Sequence, residues 1–418
     1  MKVQNDEKRN TSFQNKLGIL LILFVILRPS PTLLLGPSFG MRLIDFISLL
    51  VVAFVFINVK DKIIPKDINV LFLLFIFFIE LISLFFSIFY NQVIIQDAFE
   101  IYRPFTYLLL FITVYNLDIF HSGYSKKYIK ILNFVIWIII AFSLLELTNL
   151  LDFRNVLQYI YDYGKSRGIN STSQRIVGTF YNPNYNALFL NVLINIFFTL
   201  LIYHKKKYFL FMTIILTILL LYTGSRTGVI SLIVSLAVIL LLTLFVSNNI
   251  IKLRIKIKLL IAALLISLIT ISFIYPYIME SFKRFRDIEN IQLNFTTRVD
   301  AWETAIVYFK LHPLLGNGPG KAIMDSFDNN YILIIFRNGL IGLCLYLLFL
   351  LYNIFLPLTK IFGKRINEVI ISHIYIGVIT PYLIFMLSSI PFHYLQTGFV
   401  FIIILAIYSS FIRGNKTT

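Results

Sequence analysis

The chain has 418 residues, 58% of them hydrophobic, and a formal net charge of +17 carried by only 14% charged residues. Soluble proteins hold roughly 25% charge, so this composition excludes an ordinary soluble enzyme and marks an integral membrane protein. The apolar runs are long and unbroken, which suits helices of about 20 residues and excludes the short alternating strands of a barrel. The expected class is therefore all-α. The excess positive charge would suit nucleic acid if it lay on one soluble face; in a membrane chain it belongs first to topology, and no nucleic-acid partner is expected. Cys344 is the lone cysteine and sits in an apolar run, which excludes a disulfide framework and a thiolate metal site. Neither a metal nor another cofactor is expected.

The N-terminal "MKVQNDEKRNTSFQNK" is basic and precedes an apolar stretch with no small-residue cleavage site, so the first span is read as uncleaved. Apolar runs begin near residues 17, 41, 68, 101, 128, 183, 206, 227, 256, 330, 367 and 394, which predicts about twelve transmembrane helices. "RPSP" from Arg28 to Pro31 interrupts the first, where proline removes a backbone donor and favours a break or tilt. Alternate connections differ in charge. "VKDKIIPKD", "SKKYIK", "HKKK", "KLRIKIK", "KIFGKR" and both termini are rich in Lys and Arg, whereas the other set holds short turns and two long loops, 151–182 and 279–329. The first set is assigned to the cytoplasm and the second to the outside. The organisation expected is a cytoplasmic N-terminus (1–16), one transmembrane domain (17–413) and a cytoplasmic tail (414–418).

This topology gathers Arg175, Arg226, Arg298 and Asp328 on the outer face. In "SQRIVGTFYNPNYNALFL", Pro183 suits a first helical turn and Asn182 its cap, leaving a positive helix end beside Arg175. The plain alternative is a capped helix with a snorkelling arginine. "TGSRTG" (Thr223 to Gly228) reads as a two-helix hairpin turn whose Ser225 and Thr227 satisfy exposed backbone. Its Arg226 lies on the side where cytoplasmic retention explains no cation. A planar guanidinium suits phosphate oxygens, although an arginine that merely ends a helix is the competing reading. Further on, Val299, Trp302, Ala305, Ile306 and Phe309 recur at helical spacing in the second outer loop. They predict an amphipathic helix lying on the bilayer or covering a cavity. "HPLLGNGPG" then breaks it; lacking a following Lys-Ser/Thr and a βα unit, it reads as a tight turn and not a nucleotide loop. In "DNNYILIIFRNGLIG", Asp328 or Asn329 caps the next helix, or Asp328 serves as a general base, a role that neighbouring arginines would weaken by lowering its pKa.

Together "RIVGTFYNPN", "GSRTG", "R...W..A...F..HPLLGNGPG" and "DNNYILIIFRNGLIG" resemble, in order, spacing and membrane side, the O-antigen ligase and Wzy-type polymerase family of surface-polysaccharide enzymes. The likeness covers about residues 173–350, and the first five helices match only in character. It implies a GT-C-like membrane glycosyltransferase at the outer face of the bacterial cytoplasmic membrane, using sugar donors carried on undecaprenyl diphosphate. By the same likeness Arg175, Arg226 and Arg298 hold the diphosphate. Asp328 and Arg298 are the catalytic candidates, and Asn182, Asn184, Ser225 and Asn329 are further substrate contacts. An acceptor hydroxyl would attack the anomeric carbon while the lipid diphosphate leaves, stabilised by arginines without a metal. Membrane lipids, a chain-length regulator and a flippase are the further partners implied. Family members often carry histidine where this chain has Asp328, a departure that tilts the reading from ligase toward polymerase. A transporter of lipid-linked sugar is the reading from another class, but it should gather ionisable groups at the bilayer midplane. A peptidoglycan polymerase of the shape-and-division type lacks matching motifs.

Overall fold

The computed structural model describes residues 2–28, 43–59, 64–89, 93–98, 100–117, 125–161, 175–180, 182–246, 288–321, 327–363 and 365–414, with isolated positions 257, 261, 268 and 323. Among these residues the chain is helical, without strands. The helices are α1 (Lys2–Leu27), α2 (Leu43–Asn58), α3 (Ile68–Phe89), the single turn α4 (Ile95–Ala98), α5 (Tyr102–Asn116), α6 (Ser125–Thr148) and α7 (Phe153–Tyr161). They continue with α8 (Pro183–His204), α9 (Lys207–Tyr222), α10 (Arg226–Phe245), α11 (Ile288–Leu311), α12 (Asn330–Ile361), α13 (Ile366–Phe385) and α14 (Leu395–Gly414).

Six of the described helices, α3, α8, α10, α12, α13 and α14, are long and apolar enough to cross a membrane. A seventh span arises if residues 133–148 and 150–157, bent by 116°, count as one, and α1, α2 and α9 hold shorter apolar segments. The chain is thus a multi-pass, all-helical membrane protein. The span expected near residue 256 and the residues after Arg28 in "RPSP" lie outside the described residues. Arg28 itself ends α1 and is tied down: it ion-pairs with Asp45 and donates to Ser48 Oγ at 3.1 Å, so a buried cation closes the α1–α2 corner.

Helix α8 is buried along most of its length and packs against α9, α10 and α13. In a bilayer the apolar effect does not drive helices together, so small residues and interhelical hydrogen bonds must. Asn191 Nδ2 donates to Gly228 O and Ser231 Oγ, both at 2.8 Å, and Asn195 Nδ2 donates to Ser235 Oγ at 3.0 Å and Gly377 O at 2.6 Å. Two asparagines one turn apart therefore bolt α8 to α10 and α13. A second layer packs α12 on α3 and α13, and α5 on α2, α3 and α14. Here Asn353 Nδ2 donates to Asn69 Oδ1 at 2.8 Å, Asn69 to Ser409 Oγ at 3.1 Å, and the Tyr375 hydroxyl to Asn353 Oδ1 at 3.0 Å.

Helix α12 is not continuous. Gly339 has φ 61° and ψ −160°, and a Cβ there would stand 2.3 Å from Leu314 O. The break frees backbone groups that the "HPLLGNGPG" turn satisfies. Leu340 and Ile341 amides donate to Pro313 and Leu314 carbonyls at 2.8 and 3.2 Å, while Asn317 and Gly318 amides reach Phe336 and Arg337 carbonyls at 2.9 and 3.0 Å. The glycine run is therefore a backbone splint for a broken helix, which agrees with its reading as a turn.

Candidate functional site

Helix α8 begins as expected: Asn182 is extended, its Oδ1 accepts from the Asn184 amide at 2.8 Å, and Pro183 takes the first helical position. The segment before it is held from below by Glu146 at the end of α6, whose carboxylate accepts from the Val177 and Gly178 amides at 2.8 Å each. That grip sets the direction of Arg175. Its Nε donates to Thr223 O at 2.7 Å and its terminal nitrogen to Asn184 Oδ1 at 3.3 Å. The Ile176 amide pairs with Tyr222 O at 3.1 Å, so the Arg175 strand is stitched to the 222–226 hairpin.

The hairpin is as read from "TGSRTG". Helix α9 ends at Tyr222, Gly224 turns with φ 61° directly against the Arg175 side chain, and Ser225 caps α10 through the Gly228 amide at 3.1 Å. Arg226 is exposed at the first helical position. Burial and then the neighbouring Arg226 guanidinium hold Arg175 below its usual pKa. Two guanidinium groups side by side at a helix start, where backbone amides also point outward, form an arrangement that favours a multiply charged anion.

Helix α12 reaches the same place. Asn329, not Asp328, is its cap, accepting from the Tyr331 and Ile332 amides at 2.9 and 3.2 Å. Asn329 Nδ2 donates to Leu387 O at 3.1 Å, and the Thr227 and Ser388 hydroxyls share a hydrogen bond of 2.8 Å. One turn, 386–388, therefore joins the arginine hairpin to the start of α12, with Asp328 exposed beside the cap. Of the expected set, Arg175, Asn182, Asn184, Ser225, Arg226 and Asn329 are connected through these contacts. Arg298 lies in α11, and its side chain is outside the described residues.

The expected amphipathic helix corresponds to α11, with a different inward face. Ala305 and Tyr308 join Phe327, Leu333, Phe336 and Ile390, and Ala301 one turn earlier is buried, while Ile306 is exposed. Two alanines one turn apart allow the helices close contact, which the larger Ile306 does not.

A second polar centre lies beneath this surface. Glu100, 4% exposed, pairs with Arg103, with Arg337 Nη1 at 3.0 Å, with Lys321 Nζ at 3.2 Å and with His393 Nε2 at 3.3 Å. Burial opposes the charge of Glu100, and Arg103, Arg337 and Lys321 override it, holding its carboxyl well below the usual range. Burial and Arg103 together push His393 well below its usual value, so its ring is neutral. Glu100, Arg103, Arg337 and His393 line a cavity of about 40 Å³ with Glu80, Tyr107, Asn330 and Tyr346, while Lys321 pairs with Glu100 from outside that lining. Its members come from α3, α5, α12 and the turn before α14, so no local motif announces them. Arg337 stood within the quoted "IIFRNGLIG" stretch, and a buried cation two residues before a helix-breaking glycine was the available signal. Among the described residues no group of three His, Cys, Asp or Glu is arranged to hold a metal.

No curated protein matches the chain. The region matched by a family model spans the hairpin, the 279–329 connection and the start of α12, and includes Arg226, Arg298, Asp328 and Arg337. Over residues 210–347 the chain matches the family model described as O-antigen ligase (Wzy_C), consistent with the O-antigen ligase and Wzy-type polymerase family that its motifs resemble.

Proposed function

We propose that this protein polymerises undecaprenyl-diphosphate-linked oligosaccharide repeat units into a surface polysaccharide at the outer face of the bacterial cytoplasmic membrane. The observation that carries the reading is the convergence of the Arg175–Arg226 pair and the capped start of α12 on the single turn 386–388. In this mechanism an acceptor sugar hydroxyl attacks the anomeric carbon of the donor. The new glycosidic bond forms as the bond from that carbon to the diphosphate oxygen breaks, and the diphosphate leaves with the electron pair. Arg175 and Arg226, with Arg298 from α11, neutralise the charge that grows on the leaving group, a role worth about 10² to 10³ in rate for a well-placed donor. Asp328 accepts the hydroxyl proton, and Asn182, Asn184, Ser225 and Asn329 hold the loop ends in place. Transfer of finished glycan to a separate lipid or protein acceptor is the ligase alternative.

The test is made with purified protein, defined lipid-linked repeat units and a measurement of chain length and lipid diphosphate release. Polymer ladders support polymerisation; product only on an added acceptor assigns a ligase. Full turnover in both Arg175→Ala and Arg226→Ala would overturn the diphosphate clamp. For Asp328→Asn, which removes the base and keeps the size, near-normal activity would remove the residue from the mechanism.

A further inference from the structure

The Glu100 pocket carries more donors than its own residues use. Arg103 and Arg337 line the cavity with two carboxylates, Glu100 and Glu80, and a third cation, Lys321, pairs with Glu100 from outside the lining. Within the same lining Glu80 accepts from the Tyr346 hydroxyl at 3.4 Å. Among the described residues two donors of this lining have no hydrogen-bond partner: Nε of Arg337, a residue 7% exposed, and Nδ2 of Asn330, 2% exposed. Both residues line the cavity. A buried donor without an acceptor costs about 1–3 kcal/mol, more when charged, and an unmatched cation is worse. The lining thus presents donors and favours an anionic acceptor. At about 40 Å³ it holds roughly three water-sized atoms, the size of a carboxylate or the free oxygens of a phosphate and too small for a sugar ring. Asn330 follows the cap Asn329, so the pocket adjoins the proposed transfer site, and the Asn330 amide is tied to Met386 O at 2.8 Å.

We propose that this pocket binds an oxyanion carried on the glycan, a carboxylate or phosphate substituent of a sugar in the repeat unit or growing chain, and so selects acidic glycans for transfer. The glycan role rests on the proposed function above; the anion preference rests on the pocket itself. Arg337 and Asn330 are its selecting donors, and Glu100 holds Arg103, Arg337 and Lys321 in position.

Thermal stability of the detergent-purified full-length protein is measured against glucuronate, glucose 6-phosphate, glucose and inorganic phosphate. The expected result is a dose-dependent rise with glucuronate or glucose 6-phosphate and none with glucose; the stronger of the two identifies the carboxylate or the phosphate. Asn330→Ala should weaken that binding about tenfold, and Lys321→Gln, which removes a partner of Glu100 from outside the lining, should weaken it about threefold. Arg337→Gln should abolish it, and the milder variants keep the test valid if that one fails to fold. Equal behaviour of all four compounds, or unaltered binding in both milder variants, overturns the anion site. Inorganic phosphate binding as well as glucose 6-phosphate overturns the glycan assignment. Arg175→Gln and Arg226→Gln should retain the binding while losing turnover, so failure of the clamp and failure of the pocket are read separately.

Discussion

The two polar centres of this protein are built on opposite physical terms. At the hairpin lip, Arg226 and Asp328 are exposed and their neighbours are helix caps and turn carbonyls. Water screens these charges, so the lip costs the fold little and can be spent on a ligand. In the Glu100 pocket a buried carboxylate is paired with the buried Arg337 and the half-buried Arg103 and Lys321, and removing the carboxylate leaves these cations in a low dielectric. Substitutions at the lip should cost activity without stability, whereas those in the pocket should cost both.

The largest expected effect breaks the pocket side. Glu100→Gln keeps the shape but removes the only charge shared by Arg103, Arg337 and Lys321, and losing one partner of a buried pair costs about 3–5 kcal/mol. Thermal unfolding in detergent should show a large fall in midpoint, and an unchanged midpoint would mean that water reaches these charges. Next is Arg226→Gln at the lip, with turnover falling about 10² to 10³-fold and the midpoint unmoved. A matching fall in midpoint would erase the contrast between the centres.

A third measurement sharpens the contrast through pH. Burial and Arg103 hold His393 below its ordinary value near 6.5. Its folded pKa is depressed, so below about pH 6.5 the unfolded chain binds a proton that the folded chain refuses. The stability that depends on the neutral ring is complete above that pH and is lost as pH falls, at up to about 1.4 kcal/mol per pH unit. Glu100 adds to this slope only below about pH 4.3. Between these limits the wild type should therefore lose midpoint more steeply than His393→Gln; parallel curves would show that the ring titrates normally.

The same contrast explains what could be read in the sequence. The lip was legible because its parts are local: Asn182 before Pro183, Ser225 before the α10 start and Asn329 before α12 are cap signatures within a few residues. Loop charge then placed them on one expected side. The pocket was not legible because Glu100, Lys321, Arg337 and His393 are separated by whole helices, and only packing brings them together. Helical spacing found α11 and its inward Ala305, but included Ile306, which is exposed, and missed the buried Ala301. Composition likewise predicted an all-helical membrane chain, but could not show that Gly339 breaks α12 or that the 313–318 turn repairs the break.

The smallest effect concerns Asn329, where a cap and a positioning contact share one side chain. Its Oδ1 caps α12, and its Nδ2 holds Leu387 O on the turn that also bonds Thr227. Asn329→Ala removes both and should cost about 1 kcal/mol of stability. Asn329→Asp retains an acceptor for the cap but has no donor for Leu387, so it separates the two roles. If the turn couples the α12 start to the arginine hairpin, Asn329→Asp should keep the midpoint of the wild type and still lose turnover severalfold. Full activity in that variant would reduce Asn329 to a helix cap, leaving Asn330 to hold the turn through its amide to Met386 O, a backbone contact that neither substitution touches.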